Sequence, residues 1–175
     1  MVAATASQPT LPPAPAPPAI RVRALAKRFG AVRALDGVSF SVPSGSSLGL
    51  LGGNGAGKTT TIALLLGLLL PTSGSVEGLG VDMLRDRYRA LPRLNLSSPY
   101  VDLPRRLTAE QNLRVYARLY GLDRIRQRIA RLSDTLELGP FLRRPVGSLS
   151  SGQKSRVSLA KALINDPELL FLDEP

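Results

Sequence analysis

The chain has 175 residues, 43% hydrophobic and 21% charged, with 23 Lys and Arg against 13 Asp and Glu, a net charge of +10, and neither His nor Cys. That apolar fraction excludes a wholly disordered chain, and the missing His and Cys exclude a disulfide framework, a thiol nucleophile, the usual zinc ligands and any His-based triad. Any chemistry must run on Lys, carboxylates, hydroxyls and backbone groups.

Residues 1–19 carry six prolines between Pro9 and Pro18 and no charge. A disordered, extended leader is expected, either a tail or a ligand for a partner that reads polyproline conformation. Ile20 to Leu25 then alternates as a half-buried strand should, and Val38 to Val42 does so again before the Pro43-Ser44-Gly45 turn. Ser47 to Leu51 reads as a buried strand running into glycines, and Lys58 to Leu70 as a Thr-rich apolar helix, ended by Pro71 to Gly74. Ser75 to Val81 is a short strand or turn. From Asp82 to Gly139 the pattern is helical, with a capping box at Thr108-Ala109-Glu110-Gln111 opening a helix through Tyr120 and a second helix over Arg124 to Leu138. Ser150 to Gln153 caps another helix to about Ile164, and Asp166-Pro167 turns the chain into a last buried strand, Leu169 to Leu172. The expected class is α/β with a small helical subdomain inserted at about residues 82–148.

The longest apolar run, Ile62 to Leu70, falls short of the roughly 20 residues a spanning helix needs, and no charge precedes Arg21 to make a secretory n-region. A cytosolic location is the expectation. Arg is concentrated between Arg85 and Arg144. Such a patch suits nucleic acid or acidic headgroups, or is simply a solvated helical face; no nucleic-acid motif accompanies it, and nucleic acid is not expected as a partner.

Gly52-Gly53-Asn54-Gly55-Ala56-Gly57-Lys58-Thr59 satisfies G-x-x-x-x-G-K-[ST] between a strand and a helix. Glycines let backbone N–H groups turn inward around phosphate oxygens, and the helix start adds its positive end. Lys58 is expected to reach the β- and γ-phosphates and Thr59 to ligate Mg2+. At the far end, Leu169 to Leu172 delivers Asp173 and Glu174 to a strand edge. Asp173 there suits Mg2+ and Glu174 the activation of an attacking water, although a strand ending in two surface acids is also an ordinary feature.

Leu149-Ser150-Ser151-Gly152-Gln153-Lys154 lies about 90 residues after the phosphate loop and roughly 20 before Asp173. With Gly52 to Thr59 as Walker A and Leu169 to Glu174 as Walker B, the chain from Ile20 to Pro175 resembles the ABC-type ATPases. The resemblance implies a P-loop NTPase core with a parallel sheet, an N-terminal antiparallel β portion and the helical insertion. It implies ATP and Mg2+ as cofactors, held by Gly52, Asn54, Gly55, Ala56, Gly57, Lys58, Thr59 and Thr60, with Asp173 on the metal and Lys58 and Glu174 catalytic. Phe29, in Lys27-Arg28-Phe29-Gly30, stands where an adenine-stacking aromatic is expected; an ordinary core aromatic is the other reading. Ser150, Ser151, Gly152 and Gln153 would meet the γ-phosphate bound by a second subunit, giving a nucleotide-sandwich dimer.

Leu64 to Val76 and Ala117 to Leu122 are similar to exporter-type subunits, which pair with separate membrane permeases. The expected function is MgATP hydrolysis that drives export through such a permease, on the inner face of the membrane. A soluble ABC-type ATPase of ribosome or nucleic acid, or a catalytically incomplete fragment, is the alternative. Three departures stand out. Ser151 replaces the usual Gly. The segment Leu94 to Tyr100 carries no Gln where relatives have one, leaving Asn95 or Ser97 to substitute. Lastly, the chain stops where relatives continue past Walker B to a strand carrying a His, so the expected product is a truncated cassette that binds nucleotide weakly and does not turn it over.

Overall fold

The computed structural model describes residues 17–53, 55–98 and 103–173. The leader through residue 16, and with it the expectation of disorder there, lies outside the described residues. So do Asn54 and Glu174.

The chain enters through a hairpin, β1 (Ile20–Phe29) and β2 (Val32–Val42), paired antiparallel with Ile20 opposite Val42 and Phe29 opposite Val32. Ile20 and Val22 point inward. Strict alternation would next bury Ala24, but a register shift there, with Ala24 at φ 45°, buries Leu25 instead. The larger side chain reaches the core by means of the bulge. β3 (Ser73–Gly78) lies on the other edge of β1, and β4 (Val81–Asp82) completes the antiparallel order β2-β1-β3-β4. Gly74 presses against the bulge, where an added Cβ would stand 2.4 Å from the Ala24 carbonyl oxygen.

Between β2 and β3 comes α1 (Lys58–Leu65), whose Ile62, Leu64 and Leu65 pack with Val22, Leu25, Val76 and Met83 in one apolar cluster. The helix is shorter than expected, because the chain turns left-handed at Gly67, φ 66°, and leaves Leu68 and Leu70 exposed. The span from Asp82 is not all helical. Two short 3-10 turns lead into β5 (Leu94–Ser97), which pairs in parallel with β6 (Leu169–Leu172) as a separate two-stranded sheet.

A second apolar cluster is helical. It joins α2 (Ala109–Leu119), α3 (Ile125–Thr135) and α4 (Ser151–Leu163) through Leu113, Ala117, Ile129, Leu132, Val157 and Ala160. Both expected capping boxes are present. Thr108 Oγ1 accepts from the Gln111 N–H while Gln111 Oε1 accepts from the Thr108 N–H, and Ser150 and Gln153 make the same exchange.

The strand expected at Ser47 to Leu51 is absent. That segment is irregular, with Leu48 52% and Leu51 97% exposed. A ladder needs a neighbour at about 4.8 Å. Here an apolar-lined cleft of about 450 Å3 is lined by both Ser46 to Leu50 and Leu169 to Asp173, and the two segments do not pair.

Candidate functional site

The glycine loop leads directly into α1. Gly55 and Gly57 sit at φ 80° and 81°, left-handed conformations that L side chains avoid, and Gly57 is the residue preceding the helix. A Cβ on Gly57 would lie 2.6 Å from the Ala34 carbonyl oxygen. Glycine here therefore does two things: it turns the chain and lets β2 approach the loop. Thr61 locks the turn from the other side, donating both its N–H and its hydroxyl to the Gly57 carbonyl at 2.8 Å.

No side chain caps α1. Its first N–H groups, at Lys58, Thr59 and Thr60, have no partner within the helix and point out of its positive end. Thr59 is exposed and Thr60 half-buried. The Lys58 ammonium folds over the loop, donating to the carbonyls of Gly52 at 2.7 Å and Gly53 at 2.9 Å. Orphan N–H groups and an ammonium converging on a glycine loop make a cradle for a polyphosphate.

Lys58 also lines the cleft whose other wall ends in Asp173. Asp173 is buried, and its N–H donates to the Ser97 carbonyl at 2.9 Å, which extends the β5–β6 ladder by one step and fixes the carboxylate at the strand's end. Among the described residues no group of three or more His, Cys, Asp or Glu is arranged to hold a metal. One carboxylate and one hydroxyl nevertheless suit Mg2+, which takes few protein ligands and completes its shell with phosphate oxygens and water.

Phe29 ends β1. The residue is 49% exposed, so it is not a core aromatic. Val32, its pairing partner, is two residues from Ala34, whose carbonyl abuts Gly57. The hairpin thus carries an open aromatic face to the neighbourhood of the phosphate loop.

Ser150, Ser151 and Gly152 are exposed at the start of α4, Gln153 is half-buried, and none of the four lines the Lys58 cleft. Ser150 Oγ accepts from the Gln153 N–H at 3.3 Å, which leaves its hydroxyl proton and a second lone pair uncommitted by that bond.

Asn95 and Ser97 lie on β5, not in a loop, and both face α4. Asn95 is buried and donates to Asn165 Oδ1 at 2.8 Å, while the Ser97 and Ser158 hydroxyls are 3.3 Å apart. Of the two, Ser97 stands at the end of the strand beside Asp173.

Sequence reading passed over three features. Lys27 places its ammonium 5.0 Å over the Phe29 ring centroid, which the two-residue spacing on a strand signals. Lys161 is 7% exposed, donates to the Leu96 carbonyl at 3.2 Å, and lies 5.3 Å over the Tyr116 ring; burial holds its pKa below the ordinary lysine value. Asp166 is clamped by Arg128 and Arg131 across 38 and 35 residues of chain, a pairing no local pattern announces.

Residues 35–175 match the family model described as ABC transporter. The chain is similar to Nod factor export ATP-binding protein I of Ralstonia nicotianae, at 38% identity over 169 residues, which covers 94% of this chain and 53% of that protein. It is also similar to a daunorubicin resistance ATP-binding protein of Streptomyces coeruleorubidus, at 40% identity over 159 residues, covering 90% and 50%. Among solved structures it resembles a subunit of the Clostridium perfringens cbiONQ ABC transporter complex with a TM-score of 0.80 and 28% identity, covering 91% of this chain and 66% of that one. The chain spans about half the length of the curated relatives it matches.

Proposed function

The chain belongs to the ABC transporter family, and from that premise we propose that it is the ATP-binding and hydrolysing part of an exporter, coupled to a separate membrane permease and paired with a second ATP-binding subunit. The observation that carries the reading is the Lys58 ammonium over the glycine loop, at the uncapped start of α1 and in one cleft with Asp173. Export is supported by the relatives' names, which refer to Nod factor export and daunorubicin resistance. No helix among the described residues is long and apolar enough to cross a membrane, so a peripheral position on the inner face, through the permease, fits the rest of the proposal.

In this reading the triphosphate lies along the loop, where the N–H groups of residues 55 to 60 and the Lys58 ammonium replace its hydration. Lys58 exchanges the Gly52 and Gly53 carbonyls for phosphate oxygens, so its charge is already at the place where negative charge develops. Thr59 and Asp173 would hold Mg2+, which when bound neutralises phosphate charge. Glu174, next after Asp173 in the sequence, would orient and deprotonate the water, and Phe29 would stack on the base. Ser150 and the Gly152 N–H would serve the nucleotide of the opposite subunit. Catalysis of this kind is positioning and charge stabilisation.

Binding of ATP and of tripolyphosphate to the purified chain, measured by calorimetry with and without Mg2+, tests the proposal. Lys58→Ala is expected to weaken both ligands at least about tenfold, the loss of one charge-assisted contact, with unchanged thermal melting in the absence of ligand. Asp173→Asn should reduce the gain that Mg2+ brings. Undiminished ATP binding by Lys58→Ala would overturn the reading.

A further inference from the structure

We infer that Lys27 is a positioning residue for the nucleobase: it braces one face of the Phe29 ring and leaves the opposite face as the stacking surface. The inference rests on the proposed nucleotide site. Lys27 and Phe29 are two apart on β1, at a register shift against β2, and their side chains meet. The ammonium stands 5.0 Å from the ring centroid, inside the range in which a cation is attracted to the ring's negative face.

An exposed lysine normally keeps its rotamers, and holding it over a ring costs entropy. Here the cost is offset by a second anchor, the Leu70 carbonyl, which accepts from Nζ at 2.8 Å. The same stretch of chain is fastened to β1 twice more. The Arg28 N–H donates to Thr72 Oγ1 at 3.0 Å, and the Thr72 N–H donates to the Ala26 carbonyl at 2.8 Å. The ammonium is therefore held by the body of the fold, and the ring is held by the ammonium.

Two consequences follow for a planar ligand. The covered face is closed to it, so a base has one side on which to stack. A cation on one face also draws electron density from the ring, which favours contact of the other face with an electron-rich purine. Because Nζ is committed to Leu70 and to the ring, its effect passes through Phe29 and not through the phosphates.

The full chain is titrated with ATP and, as a ligand without a base, with tripolyphosphate. Lys27→Met keeps the aliphatic stem and removes the charge. It is expected to weaken ATP about two- to fivefold, the size of one exposed cation–π contact, while leaving tripolyphosphate affinity and the melting temperature unchanged. Lys27→Arg, whose guanidinium also stacks, should restore ATP affinity. In a Phe29→Ala background Lys27→Met should have no further effect. Equal weakening of tripolyphosphate, or an undiminished Lys27→Met effect without the ring, would overturn the inference by making Lys27 a phosphate contact. Wild-type affinity in Lys27→Met would overturn it too, leaving the nucleotide site standing. If the wild-type chain binds neither ligand, the proposed function fails along with it.

Discussion

Lys161 is, with Asp173, one of two buried ionisable side chains among the described residues. Its ammonium is buried between α4, β5 and α2, and its contacts are a carbonyl and a ring, neither of which carries the full negative charge that would repay desolvation. Burial accordingly lowers its pKa. The sign of the pH dependence follows. Between the depressed folded value and the ordinary lysine value near 10.4, the unfolded chain binds more protons, so stability rises with pH across that interval and is least below it. Replacement by Met removes the titration. Urea midpoints for Lys161→Met should equal or exceed wild type at pH 7 and should lose the wild-type rise toward pH 10; a rise that survives the substitution would show that another group carries it. Residues of this kind are invisible in a sequence, because nothing around Lys161 distinguishes a buried lysine from a solvated one. Lys58 was legible for the opposite reason: three fixed neighbours, Gly52, Gly57 and Thr59, specify what its ammonium must face.

Elements were legible where their bonding is local. Both capping boxes close within four residues, so Thr108 to Gln111 and Ser150 to Gln153 announce their helices without help from the rest of the chain. β5 was not read as a strand, although Leu94-Asn95-Leu96-Ser97 alternates, because four residues after a Pro-containing turn are a weak signal and the ladder partner is about 75 residues away. Ser47 to Leu51 shows the converse failure: a continuous apolar run reads as a buried strand, yet a strand exists only where something pairs with it. The phosphate loop owes its form to both kinds of constraint. Its turn is local, but its fit against β2 is not, and Gly57 is the residue where the two meet. Gly57→Ala would force a left-handed alanine, costing about 1 kcal/mol or more, and drive its Cβ into the Ala34 carbonyl. Such a variant should melt lower than wild type and lose ATP binding, whereas Gly55→Ala, with open space around its Cβ, should suffer the conformational cost alone. Equal melting losses in the two would show that the approach of β2 contributes nothing.

At the scale of the whole molecule, two apolar clusters, one around α1 and the antiparallel sheet and one around α2 to α4, are joined at the turn Asn165 to Glu168 that feeds β6. Asn165 donates to the Pro92 carbonyl and accepts from Asn95, the Glu168 N–H donates to Arg93, and the Glu168 carboxylate receives the Arg93 guanidinium at 2.6 and 2.7 Å. Those bonds hold the turn to the β5 side. Asp166 holds it to the helical side, through Arg128 and Arg131 of α3. The delivery of Asp173 to the site thus depends on a junction that charge as well as packing maintains. Burial pushes the Asp166 carboxyl upward, but the hydrogen bonds from Arg131 and Arg128 and their charges outweigh it, and its pKa falls below the ordinary value. A depressed carboxylate contributes stability that is complete above its unfolded pKa, near 3.9, and is lost as pH falls through the folded value. Asp166 sits at φ 49°, a conformation Asn accepts as readily, so Asp166→Asn removes the charge without straining the turn. The pair is half exposed, and solvent limits its worth to about 0.5–1 kcal/mol. Unfolding free energies from urea titration should therefore fall by that amount in Asp166→Asn at pH 7 and 0.15 M salt, converge with wild type near pH 2, and converge again in 1 M salt, where the Debye length is about 3 Å. A deficit that persists unchanged at pH 2 would mean that the Asp166 charge does not hold this junction.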